Sequence, residues 1–173
     1  MAPRTPPQRR AASRIIPTLA IVLAFTAIHA APATEEAHPM KTITGRFDVQ
    51  MTPQGETSPD TGAATYRLDK RYHGPLDATA VGTMLGHVTA TQGSAGYVAI
   101  ERVTGMLDGR KGSFVLQHSG LMDRDAKQLE IRVVPDSADG ELVGLRGRME
   151  IRIKAGGAHH YDFEYALRDG GAE

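Results

Sequence analysis

The sequence predicts an all-β fold, a small closed antiparallel barrel of about eight strands. Three observations predict it. First, apolar and polar residues alternate with a period of two along most of the chain after residue 41, as in strands with one buried face. Second, turns rich in Gly, Pro and Asp separate these segments, and no segment keeps a helical period. Third, most turns are short, which favours an up-and-down meander whose closure removes exposed edges.

The central element is a hairpin within residues 93–120, GSAGYVAIERVTGMLDGRKGSFVLQHSG. Residues 97–106 are rich in β-branched side chains, and residues 113–118 form the predicted returning strand. Asp108-Gly109 lies between them, and Asp-Gly is a strong hairpin signal because glycine adopts positive φ at little cost. This hairpin is predicted to form the centre of the barrel.

The same alternation predicts the remaining strands. On residues 76–85, Ala78, Ala80 and Gly82 share a face, as expected where a barrel curves tightly. Residues 142–154, LVGLRGRMEIRIK, show the clearest alternation in the chain. The other predicted strands lie within residues 42–51, 64–72, 129–134 and 161–167.

The N-terminus has the pattern of an export signal. Residues 15–28, IIPTLAIVLAFTAI, form an uncharged apolar run, and Ala31 and Ala33 fit the small-residue rule for cleavage. Cleavage after Ala30 is the alternative. The predicted organisation is therefore a signal peptide over 1–33, a linker over 34–40, a barrel over 41–168 and a disordered tail over 169–173. The mature protein is expected in the periplasm or secreted, without a stable membrane span. An uncleaved anchor is one alternative, and a true start at Met40, which would make the protein cytoplasmic, is another.

Composition excludes several classes of site. The chain has no cysteine, which excludes disulfides, zinc–thiolate sites and a thiol nucleophile. Its formal net charge is zero and basic runs are missing, so no nucleic-acid partner is predicted. No cofactor motif is recognisable, and no cofactor is predicted. The adjacent pair His159-His160 points to opposite faces of a strand, so no metal site is predicted.

Four residues of the hairpin are predicted to bind a ligand: Tyr97, Glu101, Gln117 and His118. Glu101 stands in an otherwise apolar strand on the face of Tyr97, and an inward carboxyl there is expected to have a raised pKa. An outward Glu, or a buried Glu paired with Arg, is the alternative. Gln117 and His118 lie on opposite faces of one strand, so one of them points inward near the barrel mouth. A structural histidine is the alternative there.

The hairpin is apolar on both of its faces. Val98, Ile100, Phe114 and Leu116 are predicted to share one face, and Ala99, Val103 and Val115 the other. A strand that is buried on one side only should alternate more cleanly. The second apolar face therefore suggests cover by another subunit or by the N-terminal segment, and a homo-oligomer is predicted.

Residues 93–120, the segment VVPDSADGELVGLRG over 133–147 and HHYDFEYAL over 159–167 resemble an uncharacterised bacterial family, a domain of unknown function with a barrel like that of allene oxide cyclase. The resemblance covers residues 41–167. The run VTGMLDGRKGSF over 103–114 is also similar to the hairpin of allene oxide cyclases and dirigent proteins. The resemblance implies a barrel fold and no particular activity.

Three functions fit these observations. The first is an exported barrel that binds a small apolar or amphipathic ligand. The second is a cofactor-independent enzyme of the isomerase or cyclase type, in which Glu101 or His118 moves a proton. The third is a structural or interaction protein with a filled barrel. An interior cavity distinguishes the first two from the third.

Overall fold

The computed structural model describes residues 39–167. Within them the chain forms eight strands and one short 3-10 turn, Gly140–Leu142. The strands are β1 Lys41–Pro53, β2 Ala64–His73, β3 Leu76–Val88, β4 Ala95–Leu107, β5 Arg110–Asp123, β6 Ala126–Val133, β7 Leu145–Ile153 and β8 His159–Leu167.

The strands close into an antiparallel barrel in sequence order, with β1 paired to β8. The predicted all-β class, strand number and closure are therefore confirmed. The β4–β5 hairpin is paired along its whole length, from Ala95 opposite Met122 to Leu107 opposite Arg110. The β6–β7 pair is the exception, because its register contains the single pair Arg132 and Arg148.

The turn of the central hairpin has the predicted chemistry. Asp108 and Gly109 adopt φ values of 49° and 81°, as a two-residue hairpin loop with positive φ at both positions requires. This turn matches the right-handed twist of the two strands that it joins. The long, unbroken pairing of β4 and β5 follows from it.

The strand predicted over residues 142–154 begins later than the alternation indicated. Gly140 and Gly144 both adopt positive φ, at 61° and 83°, so the backbone turns between them and β7 starts at Leu145. The turn places Leu142, which is 1% exposed, in the hydrophobic core. Leu142, which sequence alternation assigns to a strand, instead fills the closed end of the barrel interior.

The two ends of the barrel differ. The end where β4 and β8 finish is filled by aromatic rings; Phe114 stacks on Phe163 at 5.8 Å between ring centroids, and Leu142 packs among them. At the other end, where β4 begins, Met51 and Ile153 are largely exposed. The barrel is therefore closed at one end and open at the other.

The predicted grouping of the hairpin faces is wrong in part. Phe114 lies opposite Val103, and both are buried inside the barrel with Leu116 and Ala99. Val98 and Ile100 are each 52% exposed on the outside. Alternation within one strand does not define its partner's face, because the turn fixes which face of β5 meets which face of β4.

Three predicted segments lie outside the described residues: the signal peptide over 1–33, the part of the linker before residue 39, and the tail over 169–173. Between residues 39 and 167, no helix is long and apolar enough to cross a membrane.

Candidate functional site

A cluster of four polar side chains lies inside the barrel: Lys70 and Tyr72 from β2, Glu101 from β4, and His118 from β5. All four are buried, and Glu101 is 0% exposed. Strand alternation turns each of them inward, since the neighbours in sequence face solvent. A polar cluster of this kind is rare in a core, and its members must balance one another's charges and hydrogen-bond one another.

Small residues on β3 allow the cluster to form. Lys70 and Glu101 lie on either side of β3, whose inward positions there are Ala80 and Gly82. A Cβ atom at Gly82 would lie 2.7 Å from the Glu101 Cβ and 2.7 Å from the Ile100 carbonyl oxygen. Without side chains in the way, the long Lys70 chain reaches across β3 to the carboxylate.

Glu101 is the hub of the cluster. The Tyr72 hydroxyl donates a hydrogen bond of 2.7 Å to Oε1, and the Lys70 ammonium lies 2.7 Å from Oε2. The Nε2 atom of His118 lies 3.4 Å from Oε1. The Lys70 ammonium also lies over the Phe47 ring, 5.1 Å from its centroid, which adds a cation–π contact.

The predicted rise in the pKa of Glu101 is wrong. Burial alone raises that pKa, but the adjacent His118 and the Lys70 ammonium outweigh burial and lower the pKa to about 2. Glu101 is therefore ionised at neutral pH. Burial and the Glu101 charge raise the pKa of Tyr72 well above its ordinary value, so its hydroxyl stays a donor.

This low pKa predicts an acid-dependent loss of stability. In the folded state the pKa of Glu101 is about 2, below its ordinary value of 4.5, so the unfolded chain binds more protons between these values. The stabilisation from Glu101 is complete above about pH 4.5 and declines as the pH falls towards 2. Urea unfolding as a function of pH checks this, and the Glu101→Gln variant should show a shallower decline over that window. Equal slopes for the two proteins would contradict it.

A cavity of about 300 Å³ opens above the cluster. Most of its walls are apolar, and Lys70 and His118 reach it while Glu101 lies buried behind them. The apolar lining consists of Phe47, Val49, Met51, Leu68, Met84, Ala99, Met122, Leu129, Ile151 and Ile153, and the rings of Tyr97 and His159 complete the wall. Methionine suits such a wall because its flexible side chain adapts to different shapes.

A second cavity, of about 660 Å³, lies along the gap between β6 and β7. It shares five lining residues with the first cavity: Tyr97, Met122, Leu129, Ile151 and Ile153. The two spaces therefore adjoin at the poorly paired side of the barrel.

The structure brings together three of the four predicted ligand residues. Glu101 and His118 belong to the cluster, and Tyr97 lines the cavity, its ring packed over Gly120, where a Cβ atom would overlap it. Burial, and to a lesser extent Glu101, raises the pKa of Tyr97. Gln117 is exposed on the outer face opposite Ile100, apart from the other three.

Sequence reasoning missed Lys70 and Tyr72. A signal was present, because the alternation of β2 places Lys70 on the same face as Leu68 and Tyr72. A lysine on an otherwise apolar strand face is unusual unless a buried partner neutralises it.

The adjacent histidines separate as predicted from strand geometry. His159 faces inward, with its ring centroid 5.0 Å from that of Phe47, and it lines the cavity. Among residues 39–167, no group of three or more His, Asp or Glu side chains is arranged to hold a metal ion.

A family model described as "Protein of unknown function (DUF3224)" matches residues 43–165. The chain belongs to the DUF3224 family. The predicted resemblance to an uncharacterised family is thereby confirmed, while the likeness to allene oxide cyclases stays a prediction.

One solved structure similar to this DUF3224 barrel is the crystal structure of a protein with unknown function from the DUF3224 family of Shewanella oneidensis MR-1. It is 45% identical, with a TM-score of 0.72, and the alignment covers 76% of this chain and 100% of that one. No curated protein matches the chain.

Proposed function

We propose that this DUF3224 protein is an exported barrel that binds a small apolar or amphipathic ligand in its interior. The observation that carries the proposal is the 300 Å³ cavity, open at one end, with apolar walls and with Lys70 and His118 at its inner end. Ligand sites commonly combine an apolar wall with a few convergent polar groups. The apolar run over 15–28 and the small residues after it support export.

A filled barrel fits less well. Side chains fill the closed end, where Phe114, Phe163 and Leu142 pack together, but they leave the open end empty of protein atoms. Three methionines and Tyr97 surround that space. A structural barrel has no need for a cavity of this size beside a charged cluster.

A cofactor-independent isomerase or cyclase is the second candidate. His118 favours it, because its Nε2 atom lies 3.4 Å from Glu101 beside the cavity, where an imidazole can move a proton. Glu101, with a pKa of about 2, is a weak base, so it suits the role of holding Lys70 and His118 in place. In this reading His118 is the proton-transferring group and Glu101 a positioning residue.

Filling the cavity tests the binding proposal. Ala99 is 3% exposed and faces the cavity, so Ala99→Leu places additional carbon atoms in the space that a ligand would occupy. We expect calorimetric titration with 1-nonanol to give at least about a tenfold weaker affinity for this variant than for the unaltered protein. Ile100→Leu, the next residue on the outer face, is the matched control and should bind as before.

Equal affinity of 1-nonanol for the unaltered protein and for Ala99→Leu would contradict a ligand site in the barrel. Native mass spectrometry of the protein from its own host's envelope fraction tests export independently. A mature chain that starts near Ala31 or Thr34 is expected. A chain that starts at Met40 would overturn the export proposal.

We also propose a homo-oligomer formed through the outer face of β3, β4 and β5. Here Val81, Leu85, Val98, Ile100 and Leu121 are between 47% and 60% exposed. Uncharged residues lie among them in the register, namely Thr83, Gln117 and Ser119, while Arg102 lies opposite Val81 at the border of the patch. Rows with charged residues flank it, on β2 with Arg67 and Asp69 and on β6 with Glu130 and Arg132.

The occupant that this patch suits is a second copy of the chain. An isologous contact packs a patch against itself, so a charge at its centre would meet a like charge. Arg102, the charge at the border of this patch, lies 3.6 Å from the Asp139 carboxylate, which offsets it. Sedimentation equilibrium is expected to show a dimer or larger species, and Ile100→Lys is expected to shift it towards monomer. A monodisperse monomer at high concentration for the unaltered protein would contradict the proposal.

A further inference from the structure

We propose that the ligand of the barrel carries an uncharged oxygen acceptor, a hydroxyl or carbonyl group, which lies at the inner end of the cavity against Lys70 and His118. This inference rests on the proposed binding function and names the chemistry of the ligand's polar end. It follows from the donors that reach the cavity and from the charge that is already balanced behind them.

The inner end of the cavity offers hydrogen-bond donors. An ammonium carries three N–H groups, and that of Lys70 contacts a single carboxylate oxygen at 2.7 Å. Residues 39–167 supply no other acceptor to it. The Nε2 atom of His118 is buried, and its 3.4 Å separation from Glu101 Oε1 does not form a hydrogen bond, so it has no hydrogen-bond partner within the same residues. An acceptor on the ligand would satisfy groups that are costly to leave unpaired.

The charges at this end already balance. The Lys70 ammonium and the Glu101 carboxylate form an ion pair at 2.7 Å, so these two charges offset each other. A ligand carboxylate would add a second buried anion close to Glu101, and a ligand ammonium would face Lys70. A neutral oxygen accepts an N–H without adding a buried charge, so its desolvation is much less costly.

The groups that face His118 from the surrounding strands agree with this assignment. Lys70 and Tyr72 come from β2 and Glu101 from β4, and His159 of β8 stands further along the cavity wall. On the two neighbouring strands, His118 lies opposite Ala99 of β4 and Ile131 of β6, and both of these residues are apolar. Glu101 is thus the only anion within the described cluster, and Lys70 neutralises it.

The cavity also limits the size of the ligand. A volume of about 300 Å³, at about 30 Å³ for each non-hydrogen atom, holds about ten such atoms. A chain of eight or nine carbons with one polar end fits this space. Larger molecules would extend beyond the mouth or into the gap beside β6.

Three probes of about ten non-hydrogen atoms each separate the possibilities: 1-nonanol, octanoate and nonylamine. They are titrated calorimetrically into the full chain at about pH 8, above the ordinary titration range of histidine. We expect 1-nonanol to bind at least about tenfold more tightly than either charged probe. Octanoate or nonylamine binding as tightly as 1-nonanol would overturn the inference but leave the ligand site standing. Failure of all three to bind would overturn both.

A charge-balanced double variant removes the donor without leaving a buried charge behind. Lys70→Met with Glu101→Leu is expected to weaken 1-nonanol binding about tenfold and to reduce its advantage over nonylamine. Asp69→Asn, an exposed neighbour on β2, is the matched control and should bind like the unaltered protein. An undiminished preference for 1-nonanol in the double variant would overturn the role assigned to Lys70.

Discussion

Glu101→Leu is expected to lower the free energy of unfolding by about 3–5 kcal/mol. The substitution leaves the Lys70 ammonium buried, with its counter-ion 2.7 Å away removed, and it deprives the Tyr72 hydroxyl of its acceptor. A buried charge without a partner is among the most destabilising features that one substitution can create. Urea denaturation of the full chain, followed by circular dichroism, measures the change.

Two further variants identify the cause. Lys70→Met combined with Glu101→Leu removes both charges, and we expect it to recover most of the lost stability, since an apolar pair often replaces a buried ion pair without loss. The exposed pair Arg67–Asp69 is the control, because its side chains are 49% and 42% exposed; Asp69→Asn should cost less than about 1 kcal/mol. A Glu101→Leu variant as stable as Asp69→Asn would contradict the buried ion pair.

Leu142→Ala is expected to be destabilising by about 2–5 kcal/mol. Leu142 is 1% exposed at the closed end, and its turn is fixed to β5: Asp139 accepts hydrogen bonds from the Ser113 amide at 2.6 Å and hydroxyl at 2.7 Å. The Lys111 amide donates to Glu141 at 2.7 Å. Because the turn is held in place, it cannot collapse into the space that the shortened side chain leaves. Denaturant unfolding measures the loss.

The neighbouring residue is a natural control for Leu142→Ala. Val143 is 60% exposed, so Val143→Ala should change stability by less than about 0.5 kcal/mol. The affinity for 1-nonanol should stay the same in both variants, because the cavity lies towards the opposite end of the barrel. Equal stability of the two variants would contradict the role of Leu142 in filling the closed end of the barrel.

Local chemistry explains the parts of the fold that were predictable. Asp108-Gly109 specifies its own turn, and alternation along β4 places Glu101 and Tyr97 on one face whatever the rest of the chain does. Because successive side chains of a strand point to opposite faces, Gln117 and His118 of β5 cannot both point inward. Closure followed from the number of strands and their short turns. These features depend on neighbours in sequence or on a single hairpin.

The unpredicted parts depend on residues that are far apart in sequence. Lys70 meets Glu101 across β3, a contact that requires the register of two strand pairs and the small Ala80 and Gly82 between them. The predicted direction of the Glu101 pKa shift was wrong for the same reason. The strand pattern indicates that Glu101 is buried, but it does not indicate the cation whose effect on the pKa helps to outweigh burial. The face that β5 shares with β4 depends on the register across their turn, which alternation within one strand does not give.

Because β6 and β7 share a single paired position, the barrel is closed around most of its wall and weakly joined between these two strands. Every other pair of neighbouring strands is joined by a longer ladder, so separating β6 from β7 breaks the fewest backbone hydrogen bonds of any opening in the wall. The 660 Å³ space along β6 and β7 adjoins the interior cavity at five shared residues: Tyr97, Met122, Leu129, Ile151 and Ile153. For the ligand proposed above, this side of the barrel offers a second route to solvent besides the open mouth, and the adjoining space has room for a long tail outside the barrel.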